Sequence, residues 1–161
     1  VSVDGGSTWS AYSGISTDKR LYSACYVKNT GNNTAVVCGE SGKIFRTVNN
    51  GANWNEISCP TTNMLLDVEF HDDGTGIIIG ENGTVLRSSD GGINWLSVSS
   101  STTKTLRNVN LQEYFWITGD NVILYSANNG LNWLPARDSA NEFYIGISAD
   151  GKYATAIGYR F

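Results

Sequence analysis

Apolar and polar positions along this chain alternate, break at turns and resume on a repeating rhythm. Leu66-Asp67-Val68-Glu69-Phe70 alternates with the period of a strand, His71-Asp72-Asp73-Gly74 reads as a tight turn, and Gly76-Ile77-Ile78-Ile79-Gly80 is a second short apolar run. Thr84 to Ser88 and Asn94 to Val98 add two more short runs. About 40 residues therefore carry four antiparallel strands, here labelled A to D in order.

The same phrase recurs between the third and fourth strands. It reads Ser2-Val3-Asp4-Gly5-Gly6-Ser7-Thr8-Trp9, then Thr47-Val48-Asn49-Asn50-Gly51-Ala52-Asn53-Trp54, then Ser88-Ser89-Asp90-Gly91-Gly92-Ile93-Asn94-Trp95, and finally Ser126-Ala127-Asn128-Asn129-Gly130-Leu131-Asn132-Trp133. The shared pattern is [S/T]-x-[D/N]-x-G-x-[S/T/N]-W, with Trp-to-Trp spacings of 45, 41 and 38. Each position has a physical reason. The Asp or Asn side chain accepts hydrogen bonds from backbone N–H groups ahead of it, Gly supplies a positive φ, and the Trp opens the next strand with a large ring to bury. Asp4, Gly6 and Trp9, Asn49, Gly51 and Trp54, Asp90, Gly92 and Trp95, and Asn128, Gly130 and Trp133 are accordingly structural residues.

This phrase resembles the Asp-box, or BNR, repeat of sialidases, large xyloglucan-cleaving glycosidases, sortilin-type receptors and photosystem II assembly-factor-like propellers. The likeness to the last group is strongest, because Gly39-Glu40-Ser41-Gly42-Lys43-Ile44-Phe45-Arg46 and Gly80-Glu81-Asn82-Gly83-Thr84-Val85-Leu86-Arg87 precede two of the boxes. A third copy, Gly119-Asp120-Asn121-Val122-Ile123-Leu124-Tyr125, is shortened. Two boxes carry Asn for Asp, and four repeats are fewer than these families use.

The fold expected is all-β, a four-bladed β-propeller of antiparallel four-stranded blades. Phe143 to Gly151 and Tyr153 to Gly158 read as strands A and B of a last blade. Val1-Ser2-Val3 and Trp9 to Tyr12 would complete it, so that N- and C-terminal strands together close the ring and cover its open edges. The alternative is a four-blade section of a larger propeller.

Composition narrows the function. At 161 residues the chain suits a single domain spanning 1–161, and 18 Gly against 2 Pro with 40% hydrophobic residues fit a turn-rich β protein. A net charge of −4 supplies no basic field, which argues against nucleic acid, and no apolar run is long enough to insert in a membrane. Cys25, Cys38 and Cys59 lack metal-ligand spacing, and a cross-strand bridge between Cys25 and Cys38 is one arrangement open to them. The sequons at Asn32 and Asn82, and a first residue that is Val1, fit an extracellular or other exported compartment after loss of a leader or precursor.

Catalytic chemistry has little to stand on. A sialidase-type site needs an arginine cluster and a Tyr–Glu pair, yet Arg46 and Arg87 share one repeat position, matched by Tyr125, and belong to the architecture. His71, the one histidine, sits at an A–B turn and reads as a solvated loop residue. No metal site and no cofactor are expected.

In a propeller, A–B and C–D turns share one face and B–C turns and D–A connections share the other. Binding is therefore sought opposite the boxes, at Glu40, Glu81 and Asp120, with Tyr159 and Arg160 in the last blade, flanked by the variable connections Ser58 to Met64 and Ser99 to Thr105. The resemblance implies a non-catalytic binding or assembly module with a protein partner. The alternatives are a carbohydrate-binding, lectin-like propeller with a glycan ligand, and a structural component of a virion, filament or cell surface, including a homo-oligomer.

Overall fold

The computed structural model describes residues 2, 4–9, 14–28, 30, 33–150 and 153–160, with side chains left aside at 137–146, 159 and 160. Among the described residues the strands are β1 (Leu21–Tyr26), β2 (Ala35–Gly39), β3 (Ile44–Thr47), β4 (Asn55–Ile57), β5 (Leu65–Phe70), β6 (Gly76–Gly80), β7 (Val85–Ser88), β8 (Leu96–Ser97), β9 (Leu106–Leu111), β10 (Phe115–Ser126), β11 (Leu134–Asp150) and β12 (Tyr153–Arg160). They form three sheets in the orders β1-β2-β3-β4, β5-β6-β7-β8 and β12-β11-β10-β9, all antiparallel.

The first two sheets are complete blades with strands A to D in sequence order. In the third, β10 and β11 each run through a turn without losing strand character. Trp116 and Tyr125 are nine residues apart, roughly 30 Å in an extended strand, yet their rings lie 5.7 Å apart, so β10 doubles back. The reversal falls at Asn121, whose φ of 58° matches 57° at Ser41 and 54° at Asn82 in the equivalent turns. The third copy has lost the glycine that follows in the other two, and its strands meet across a shorter turn. The first limb of β10 pairs with β9 and the second with the start of β11, which completes blade three. The far limb of β11, Phe143 to Asp150, pairs with β12 as a hairpin, the expected strands A and B of a fourth blade.

Propeller blades of four antiparallel strands are thus the architecture, as the repeat predicted. The terminal strands that would close the ring fall on Val1, Val3 and 10–12, which lie outside the described residues.

β6 shows why the blades stack. Its five residues are all buried; Ile77 and Ile79 face blade three, and Ile78 faces blade one. Between blades one and two lies a cluster built from Val36, Cys38, Ile44, Val68, Phe70 and Trp95; between blades two and three lies a second, built from Ile77, Ile79, Leu111, Phe115, Ile117 and Trp133. Alternation along a strand assigns each apolar side chain to one seam or the other.

The cysteines are free. The β1–β2 register sets Cys25 opposite Val36 and Cys38 opposite Ser23, a diagonal relation of about 7 Å that exceeds the usual reach of a disulfide. Burial pushes the Cys38 thiol far up from its ordinary pKa, as befits a core side chain.

Each box is a self-contained hydrogen-bonded knot. In the third, Ser88 Oγ donates to Asp90 Oδ1 (2.8 Å) and accepts from Gly92 N (2.9 Å), while Asp90 Oδ1 also accepts from Asn94 N (3.0 Å). The fourth repeats this with Ser126, Asn128, Gly130 and Asn132 at 2.9, 3.0 and 3.0 Å. One side-chain oxygen makes the bonds common to the boxes, so Asn49 and Asn128 can stand in for Asp, while the second carboxylate oxygens of Asp4 and Asp90 add bonds from Thr8 Oγ1 (2.6 Å) and Asn94 Nδ2 (2.8 Å). The position after the Asp or Asn is not free either. Gly5, Asn50, Gly91 and Asn129 have φ of 68°, 55°, 70° and 54°, so this site takes only residues that tolerate the left-handed region.

Candidate binding face

The two faces of the molecule separate as expected. On the box side, Asn129 Nδ2 donates to Asp73 Oδ2 in an A–B turn (2.9 Å), and Asn50 N reaches Asn33 O (3.0 Å). On the opposite side, B–C turns meet D–A connections: Gly42 N donates to Asn63 O (3.0 Å) and Gly83 N to Lys104 O (2.9 Å). The approach is close enough that a Cβ on Gly83 would stand 1.8 Å from Thr102 O. Side chains add to these backbone contacts: Asn63 Nδ2 donates to Thr84 Oγ1 (2.9 Å), Ser100 Oγ to Gly83 O (2.7 Å) and Lys104 Nζ to Asn121 O (2.8 Å), so turns and connections are tied together across this face.

Glu40, Glu81 and Asp120 occupy equivalent places at the B–C turns. The backbone N–H of each donates to the residue ahead of strand A in its own blade, to Arg20 O, Met64 O and Thr105 O at 2.9 to 3.0 Å. Their carboxylates differ. Glu40 accepts from Arg20 N and from Tyr22 Oη (3.1 Å each), and the Arg20 N–H is the main cause of its lowered pKa. Asp120 is held by Arg107, which donates from Nε and, at 3.0 Å, from Nη2. Glu81 makes no ion pair among the described residues. An open hollow of about 630 Å³ lies beside its turn, lined by Gly83 and the connection 98–104. The acidic positions are brought to one face, but two of the three are already engaged within the chain. Tyr159 and Arg160 fall in β12, and their side chains lie outside those described.

Tyr22 Oη and Glu40 form a Tyr–Glu pair of the kind a sialidase-type site would need. Arg46 Nε donates to Gly91 O (2.8 Å) and Arg87 Nε to Asn129 O (2.7 Å), each clamping the box of the following blade. No arginine triad converges on Tyr22 among the described residues. His71 is half-buried, with its ring 5.3 Å from that of Phe115 and Nδ1 3.1 Å from Asp73 Oδ1, so it is a packing residue between blades rather than a solvated one.

Sequence reasoning missed a set of polar residues on the A strands. Val68 N donates to Ser23 Oγ (3.3 Å), Val109 N to Asp67 Oδ2 (3.0 Å) and Ile147 N to Asn108 Oδ1 (3.1 Å), stapling each A strand to the next. Glu69 Oε2 likewise accepts from Leu111 N (2.9 Å). Burial raises the pKa of Asp67 and lifts that of Glu69 to about 7. The signal was the polar residue at the same A-strand place in each repeat, Ser23, Asp67 and Asn108.

Blades of this construction, tied by Asp-boxes, define a BNR-type β-propeller. A family model described as photosynthesis system II assembly factor YCF48 matches residues 52–141, and the chain belongs to that family. YCF48 from Cyanidioschyzon merolae is similar over 89% of this chain and 51% of its own, at 21% identity and a TM-score of 0.70. A structure of YCF48 bound to D1 peptide is similar over 89% of this chain and 50% of its own, at 19% identity and 0.66. An ancestral GH74 enzyme is similar over 85% of this chain and 22% of its own, at 17% identity and 0.68. The chain spans about half the length of the YCF48 chains it matches. At these identities the solved structures speak for the fold alone. No curated protein matches the chain.

Proposed function

We propose that this protein is a non-catalytic binding or assembly module that recognises a protein partner through the face of its B–C turns and D–A connections. The observation that carries the reading is membership of an assembly-factor family, one of whose solved members holds a peptide. The stiff turn face supports it, since loops locked to a rigid scaffold lose little freedom on binding. Glu81 and the hollow beside it are the part of that face open to a partner. A non-catalytic role fits the arginines, because Arg46, Arg87 and Arg107 are spent on structural contacts.

The test is a titration of labelled D1 peptide against the intact chain. Saturable binding that weakens at least about tenfold in Glu81→Lys, with Ile93→Ser on the box face as an unaffected control, supports the reading. Absence of binding, or binding equally sensitive to both substitutions, sinks it.

A further inference from the structure

The acid at each B–C turn faces a repeated place on strand A of its own blade. The β1–β2 register slips between Leu21 and Ser23, that of β5–β6 between Leu65 and Asp67, and that of β9–β10 between Leu106 and Asn108. Tyr22, Leu66 and Arg107 are therefore bulged from the ladder at one equivalent position, beside the turns that carry Glu40, Glu81 and Asp120.

In blade one Tyr22 Oη donates to Glu40 Oε1 (3.1 Å), and Arg20, just ahead of the strand, brings its Nε within 3.9 Å of the same oxygen. In blade three Arg107 forks onto Asp120 from Nε and Nη2. Blade two breaks the series. The two places flanking its acid hold Met64 and Leu66, which have no group to donate, and the Glu81 carboxylate makes no side-chain hydrogen bond or ion pair among the described residues. The backbone nevertheless holds Glu81 as it holds the other two acids: its N–H donates to Met64 O at 3.0 Å, against 2.9 Å for Glu40 to Arg20 O and for Asp120 to Thr105 O. Lys104, which lines the adjoining hollow, directs its Nζ to Asn121 O (2.8 Å).

We infer that Glu81 receives an arginine side chain of the protein partner. Blades one and three show which groups this turn accepts, a phenol and a guanidinium, and there strand A delivers them. In blade two the same position is apolar, so the donor comes from outside the chain. Half-buried Leu66 and Met64 offer surface to the methylene stem of a long basic side chain. Arginine fits better than lysine because its planar fork meets both carboxylate oxygens, as Arg107 does at Asp120. The open hollow of about 630 Å³ beside the turn gives the approaching segment room, and the net charge of −4 favours a basic one. The inference rests on the reading of the turn face as the partner-binding face, and names the chemistry that face selects.

The test uses the intact chain and two blocked tripeptides, acetyl-Ala-Arg-Ala-amide and its citrulline counterpart, which keeps the shape and loses the charge. The backbone amide NMR signals of Leu66, Glu81 and Gly83 are expected to shift saturably with the arginine peptide at roughly millimolar concentrations, and the citrulline peptide to bind at least about fivefold more weakly. Leu66→Arg, which rebuilds the pair of blade three, is expected to weaken binding of the arginine peptide at least about fivefold while the rest of the amide spectrum is retained. Glu81→Gln should lose binding to the same degree. No saturable shift, equal binding of the two tripeptides, or wild-type binding by either variant overturns the inference. D1-peptide binding that weakens in Glu81→Lys but is unchanged in Leu66→Arg also overturns it and leaves the turn-face reading standing, so the two fail separately.

Discussion

The first and fourth boxes make the same knot in opposite surroundings. Gly6 N donates to Ser2 Oγ at 2.8 Å and Thr8 N to Asp4 Oδ1 at 2.9 Å, against 3.0 Å for both bonds in the fourth box. The Thr8 hydroxyl and backbone N–H hold the Asp4 carboxyl down at about 2. Yet Trp9 is 77% exposed and Trp133 is 3% exposed. A Cβ on Gly130 would sit 2.6 Å from Ile77 Cδ1 of the preceding blade, whereas a Cβ on Gly6 would find only its own Trp9, at 4.0 Å. The knot is a local device closed within eight residues. Burial of its tryptophan is supplied by a neighbouring blade.

That contrast can be broken most sharply at the tryptophans. Trp133→Ala should cost about 3–5 kcal/mol in urea unfolding and threaten the fold, because it empties the cluster between blades two and three. Trp9→Ala should change stability by less than about 0.5 kcal/mol; a loss comparable to that at Trp133 would show the first box to be docked. The knot itself should tolerate amide for acid. Asp90→Ala is expected to lose about 1–2 kcal/mol in the same assay, and Asp90→Asn less than half of that, since Asn49 and Asn128 already perform the same task.

A smaller effect is expected from pH at the second seam. The pKa of Glu69 lies near 7 in the folded protein, raised by burial from 4.5, so between these values the folded state holds more protons than the unfolded one. Its contribution to stability is full below about pH 4.5, declines as pH rises, and is gone above about 7. Glu69→Gln should flatten that slope, and thermal melts at pH 5 and pH 8 should differ by roughly 3 °C less than in the wild type. An unchanged slope would mean that Glu69 is ionised throughout.

Much of the fold was legible because the repeat states it four times. Box, B–C turn and apolar alternation each recur, and each depends on neighbours within a few residues. The acidic positions of the turn face were also readable, since Glu40, Glu81 and Asp120 share a register. Their engagement was not: Arg107 meets Asp120 across a strand pair, and no spacing in the sequence announces it. His71 was misread for the same reason, its packing partner Phe115 lying in the next blade.

What the sequence determined by itself is the local chemistry: which residues take positive φ, which hydroxyl caps which amide, and which side of each strand is apolar. Only the tertiary structure decided which seam is well made. Ser23, Asp67 and Asn108 look interchangeable along the chain, and their staples form alike. Glu69 and Asn110 also share a position, yet Glu69 accepts from Leu111 N while the buried Oδ1 of Asn110 has no hydrogen-bond partner. That outcome depends on how one blade settles against the next, a long-range packing balance that hydrogen bonds within a repeat do not encode.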